Sequence, residues 1–160
     1  MSDQFGVILV SPEPRGGRQV ECIITGTPKP GTCMTVLAAT EPVAGIFTYE
    51  VYNRDADGDR APVAVLLEDE LQGRLITTAY VAADQARLYF PVAGDMLQML
   101  VADVAGTADT LAIGDYMIID DGTGLLIDTT GSPQMESFVI METQAALTAD
   151  LHVLCMYTGH

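Results

Sequence analysis

The chain has 160 residues, 22 acids against 7 bases, a net charge of −15, and 49% hydrophobic residues without a single Trp. That length suits one domain with an arm and a core of Val, Leu, Ile, Ala and Met, and the composition excludes a disordered chain. So few bases exclude a phosphate-binding surface, and the apolar runs fall far short of the ~20 residues that cross a bilayer. Neither nucleic acid nor membrane is therefore expected as a partner.

The charge is unevenly placed. All seven bases (Arg15, Arg18, Lys29, Arg54, Arg60, Arg74, Arg87) lie within 1–87, whereas 88–160 holds ten acids and no base. Carboxylates without a cation in the same half must sit in solvent, cap turns, or meet a charge from outside. The start, Met1-Ser-Asp-Gln-Phe5, has no basic region leading into an apolar one, so no signal peptide is expected. Cys22, Cys33 and Cys155 are odd in number and widely spaced. They read as buried hydrophobes of a chain made in a reducing cytosol, not as a disulfide framework.

In chain order, two apolar pieces come first, 5–10 and 19–25. They are set among Ser11-Pro-Glu-Pro-Arg-Gly-Gly17 and Thr25-Gly-Thr-Pro-Lys-Pro-Gly31. Proline removes a donor and fixes φ, so 1–31 reads as an extended arm or peripheral hairpin and 32–160 as the β domain. Strands are predicted at 35–39, 45–52, 62–67, 74–81, 87–90, 95–101, 116–119, 125–128, 137–142 and 151–157. The last alternates cleanly, with Leu151, Val153, Cys155 and Tyr157 on one face. Turn signals such as Asn53-Arg-Asp-Ala-Asp-Gly-Asp59, Asp121-Gly122 and Gly131-Ser-Pro133 separate them. Many short strands at such spacing predict an all-β antiparallel barrel or sandwich, with at most one or two short helical turns at 107–111 and 143–150. Gly94-Asp95 and Gly114-Asp115 each precede an apolar strand and read as two similar strand entrances.

The chemistry-bearing residues are sparse. Asp55-Ala-Asp-Gly-Asp59 has oxygen ligands at alternate positions, but a calcium loop starting at Asp55 would need Gly where Arg60 stands and Glu where Leu66 stands. A solvated acidic turn is the better reading. Asp128-Thr-Thr-Gly131 carries one Thr too many for the turn that presents an aspartic-protease carboxylate, and there is no second copy. Of two histidines, His160 ends the chain and His152 falls on the polar phase of a strand, where exposure is expected. No nucleophile elbow, zinc spacing or phosphate loop occurs. No catalytic residue, cofactor or metal ligand is therefore expected, and the chain does not read as an enzyme.

Ala61-Pro-Val-Ala-Val-Leu-Leu-Glu68, Pro91-Val-Ala-Gly-Asp95 and Ile113-Gly-Asp-Tyr-Met-Ile-Ile-Asp-Asp-Gly-Thr-Gly-Leu125 stand in one succession. They are followed by Ser137-Phe-Val-Ile-Met-Glu142 and Asp150-Leu-His-Val-Leu154. This succession resembles the decoration, or cement, proteins on the heads of tailed bacteriophages. The resemblance implies a structural virion protein, a homotrimer bound to the major capsid protein on the capsid exterior, made in the host cytoplasm. An extended arm suits addition of a strand to a partner's sheet. Phe5, Val7 and Leu9 on one strand phase, with the bases Arg15, Arg18 and Lys29, are the candidate capsid-contacting residues. On this reading, deleting 1–31 removes shell binding and leaves the core folded. The alternative is a carbohydrate- or receptor-binding β-module of a phage fibre, disfavoured by the scarcity of aromatic platforms.

Overall fold

Among the described residues, short alternating segments of this sequence become eleven strands. They are β1 (Leu9–Ser11), β2 (Arg18–Ile24), β3 (Cys33–Val36), β4 (Thr48–Val51), β5 (Ala64–Leu66), β6 (Gln85–Phe90), β7 (Met96–Val101), β8 (Tyr116–Ile119), β9 (Leu126–Asp128), β10 (Phe138–Ile140) and β11 (Leu151–Tyr157). The computed structural model describes residues 8–11, 16–37, 44–53, 62–69, 75–102, 110–128, 138–144 and 149–159, and no helix occurs among them. The fold is all-β. β2 to β6 close into one five-stranded barrel, and β7 to β11 close into a second, with β1 added on β7.

The two barrels share one connectivity. In each, the first strand pairs antiparallel with the fifth and parallel with the third; the third pairs with the second, the second with the fourth, and the fourth with the fifth. The registers also correspond. Ile24↔Tyr49 matches Val101↔Leu126, Met34↔Val51 matches Met117↔Asp128, and Met34↔Ala64 matches Met117↔Phe138. Leu66↔Leu88 likewise matches Ile140↔Cys155. Even the bond that joins first to third strand recurs: Thr25 N–H donates to Tyr49 O and Ala102 N–H to Leu126 O, both at 2.9 Å. Residues 18–90 and 95–157 are thus two copies of one barrel plan.

This corrects the reading of 1–31 as an arm. Arg18–Ile24 pairs along its length with β6 and closes the first barrel, because the prolines flank the strand and leave its own N–H groups intact. A deletion through residue 31 removes that strand, so the expectation that the core survives it does not hold. The strand expected at 74–81 is also absent over its described part, where Thr78 N–H donates to Leu75 O in a turn. Tyr80 instead sends its ring into the first barrel's core, with its hydroxyl donating to Leu67 O at 2.9 Å, and plugs the end where β2 and β5 finish. Of the two expected helical turns, 107–111 lies mostly outside the described residues. The described ends of both, Leu111 and Gln144, bridge each other instead.

Alternation decides the packing. In β5, Ala64 and Leu66 enter the first barrel's core while Val65, with Leu67 beyond it, packs against the second barrel. A strand buried on both faces reads as an unbroken apolar run, and 63–67 is one. The shared core joins Cys33, Tyr52, Val65 and Tyr89 of the first barrel to the interior of the second. Backbone bonds cross the same junction. Gly31 N–H donates to Leu66 O and Gly31 O accepts from Leu100 N–H; Cys33 N–H donates to Gly124 O and Gly122 N–H to Tyr52 O.

The two Gly-Asp entrances are one device. Asp95 Oδ2 accepts from Val92 N–H at 2.9 Å and Asp115 Oδ2 from Ala112 N–H at 2.7 Å, with Gly94 and Gly114 at φ 99° and 98°. A third copy enters β6: Asp84 Oδ2 accepts from Val81 N–H at 3.0 Å, with Ala83 at φ 72° in the glycine's place. Alanine is strained there, so Ala83→Gly is expected to raise stability by about 0.5–1 kcal/mol in chemical denaturation. Gly124 has φ 66°, and a Cβ on it would lie 2.4 Å from Cys33 O and 2.8 Å from Thr32 Cγ2. Gly124→Ala therefore forces the barrels apart, and a loss of about 2–5 kcal/mol is expected in the same assay.

Candidate partner-binding site

The end of the first barrel opposite Tyr80 is open. The residues of β2, β4 and β6 that point inward deeper in the barrel continue in the same phase to that end, where Arg18, Val20, Phe47, Tyr49 and Phe90 converge. They line a cleft of about 700 Å³, the size of a small-molecule or peptide side-chain site. Tyr49 and Phe90 meet edge to face at 6.4 Å between centroids, and Phe47 is 49% exposed.

The cleft continues into the barrel wall. β2 and β4 pair only at Ile23↔Thr48 and Ile24↔Tyr49. Ile23 N–H still reaches Phe47 O at 3.0 Å, but Ala44 and Gly45, at φ 53° and 82°, turn the chain away upstream. The next β2 residues in that phase are Glu21 and Gln19. Among the described residues neither N–H finds an acceptor on this side. The site is an apolar mouth beside an open strand edge.

Arg18, exposed at the start of β2, has no carboxylate partner among the described residues, and its charge acts on the Tyr49 hydroxyl. Burial, with Cys22 in the same direction, nevertheless holds that hydroxyl above its ordinary range. Cys22 lies beneath, in the first core, and burial pushes its thiol up to about 12, so it stays protonated and unreactive. Cys33 and Cys155 are buried reduced thiols as well. Among the described residues no three His, Cys, Asp or Glu side chains are grouped to hold a metal ion.

The candidate residues named from sequence scatter. Phe5, Val7 and Arg15 lie outside the described residues. Leu9 is in β1, opposite Leu97 on the second barrel. Arg18 lines the cleft, while exposed Lys29 follows the far end of β2, roughly 20 Å of strand away. Phe47, Tyr49 and Phe90 carry no motif that marks them in the sequence. Their shared strand phase is visible in the sequence, but their meeting is a product of barrel closure.

His152 differs from expectation. It is half-buried, and its Nε2 lies 2.8 Å from Pro30 O in the junction between barrels. A carbonyl only accepts, so Nε2 carries a proton and donates. No protein-family model matches the chain, and no curated protein does.

Burial above all, and Lys29 next to it, lower the His152 pKa from its ordinary 6.5, against the Pro30 carbonyl. The unfolded chain then takes up a proton before the folded one does. The neutral ring's full contribution is present above the unfolded value and is lost as pH falls toward the folded one. His152→Gln keeps an N–H donor and should flatten that limb of the stability–pH profile relative to wild type, measured by denaturation at a series of pH values.

Proposed function

We propose that the chain is a structural virion protein without enzymatic activity: a decoration protein that trimerises on the outer surface of a tailed-phage head and binds its major capsid protein. The observation that carries this reading is the charge difference between two barrels of one plan. Residues 18–90 and 95–157 hold ten carboxylates each, but the first also holds six bases and the second none. A base-free acidic barrel repels its neighbours, nucleic acid and anionic membrane, which suits an outward, solvent-facing position. The first barrel, with its bases and open cleft, suits contact with the shell. The succession of motifs from 61 onward supports the same family.

Cryo-electron microscopy of purified virions of the encoding phage tests this. Trimeric density over threefold and quasi-threefold axes of the shell is expected, with the second barrel outermost. Density only at the tail tip would overturn it in favour of the receptor-binding reading.

A further inference from the structure

We propose that the seam between β2 and β4 accepts an extended strand from a partner protein, running antiparallel to β2, with one apolar side chain entering the barrel mouth and a carboxylate meeting Arg18.

The molecule carries its own precedent. In the second barrel the first and third strands pair only at Val101↔Leu126, leaving the upstream edge of β7 to be covered by something else. β1 covers it: Leu9 pairs with Leu97, Ser11 with Met96, and Gln98 N–H donates to Ile8 O at 2.7 Å. The Ile8 side chain is fully buried in the second barrel's core. By the register correspondence, Gln98 is the counterpart of Glu21 and Leu97 of Val20. In the first barrel that same N–H has no acceptor among the described residues, and the counterpart of the Ile8 site is the mouth between Val20, Phe47 and Phe90.

The occupant's chemistry follows. Backbone along β2 that has no partner among the described residues calls for an extended segment, since a strand satisfies both outward residues at once. The three aromatics call for a large apolar side chain in the position of Ile8. Arg18, with no carboxylate partner among the described residues of a chain of charge −15, calls for an acidic residue on the incoming strand. β1 itself is engaged on β7, so the strand comes from another chain. The seam selects the strand by these features, whatever protein supplies it, and the proposal therefore goes beyond the capsid reading.

A peptide of residues 6–14, which contains both Ile8 and Glu13, is the probe: in the register of β1 on β7, Ser11 faces Met96, the counterpart of Gln19, so Glu13 comes to the Arg18 end. Its labelled form is titrated with the full chain by fluorescence anisotropy, and amide exchange is read by NMR. Saturable binding is expected, with new protection at Gln19 and Glu21 and none added at Gln98. Phe47→Asp, at an exposed position, should weaken binding about tenfold or more while thermal unfolding is unchanged. Arg18→Gln should weaken the native peptide but not its Glu13→Gln form. Absence of binding at millimolar peptide overturns the proposal. So does a changed exchange at Gln98 alone, which marks displacement of β1. Protection of Glu21 that rises with protein concentration without peptide would also overturn it, since a second copy would then fill the seam.

Discussion

Closing each ring through a short parallel pair leaves part of a strand edge without a neighbour in its own barrel. Pairing the first strand parallel to the third closes a five-stranded ring. The third strand, however, begins at a turn that bends it away, so it covers only the downstream end of the first. The upstream edge, with donors that must be satisfied or hydrated, is left over. In the second barrel two pieces from elsewhere repair it: β1, through Ile8 O, and the junction segment, through Gly31 O on Leu100 N–H. In the first barrel Phe47 O takes the position of Gly31 O, and among the described residues nothing pairs with the edge beyond it. The cleft at the mouth of the first barrel is thus a consequence of topology, not of a local loop.

The same repair fixes how the barrels sit. Pro30, Gly31 and Cys33 are backbone partners of both barrels at once, through His152, Leu100, Leu66 and Gly124. No side chain fits at Gly124, where Cys33 O approaches closest. Around this contact the outward phases of β3 and β5 supply Cys33 and Val65 to the second core, so burial and backbone pairing reinforce each other. A second stitch runs through the polar groups: Gly17 N–H donates to Tyr89 Oη at 2.6 Å, and Tyr89 donates to buried Asp95 at 2.5 Å. Burial first, and this carboxylate second, push the Tyr89 hydroxyl up to about 12, so it remains a donor. The Asp95 turn that enters β7 is held by the last core strand of the first barrel.

Much of this was legible where signals are local. The alternation of 151–157, the run 96–101 and the Gly-Asp entrances lie where the sequence predicts them, because period two and positive φ leave marks on single residues. β2 is legible as the strand-like piece at 19–25, but its place was hidden: proline and glycine on both sides of Arg18–Ile24 mark its ends, and their density over 1–31 points to a peripheral hairpin where the strand is a barrel wall. The third entrance was hidden by Ala83, which occupies a glycine conformation. The repeat was hidden more deeply. Corresponding residues such as Ala64 and Phe138, or Leu88 and Cys155, differ in volume because each barrel compensates within its own core, and only the pairing register preserves the relation. The cleft could not be read at all, since Arg18, Phe47 and Phe90 are brought together by closure across most of the first barrel's length.

Two barrels of one plan make the charge distribution interpretable. If the imbalance served only solubility, either barrel could carry it, and acids alone would suffice. The acids are in fact equal in number; it is the bases that are confined to the first barrel and its lead-in. One of them, Arg18, stands at the mouth of the open seam, at the position that corresponds to Asp95 in the second barrel. There the carboxylate is consumed internally, by Val92 N–H and Tyr89, and the seam is filled by the chain itself. In the first barrel the charge is reversed, finds no carboxylate among the described residues, and stands beside unfilled backbone. The same structural position is thus self-sufficient in one copy and left for an outside acidic strand in the other.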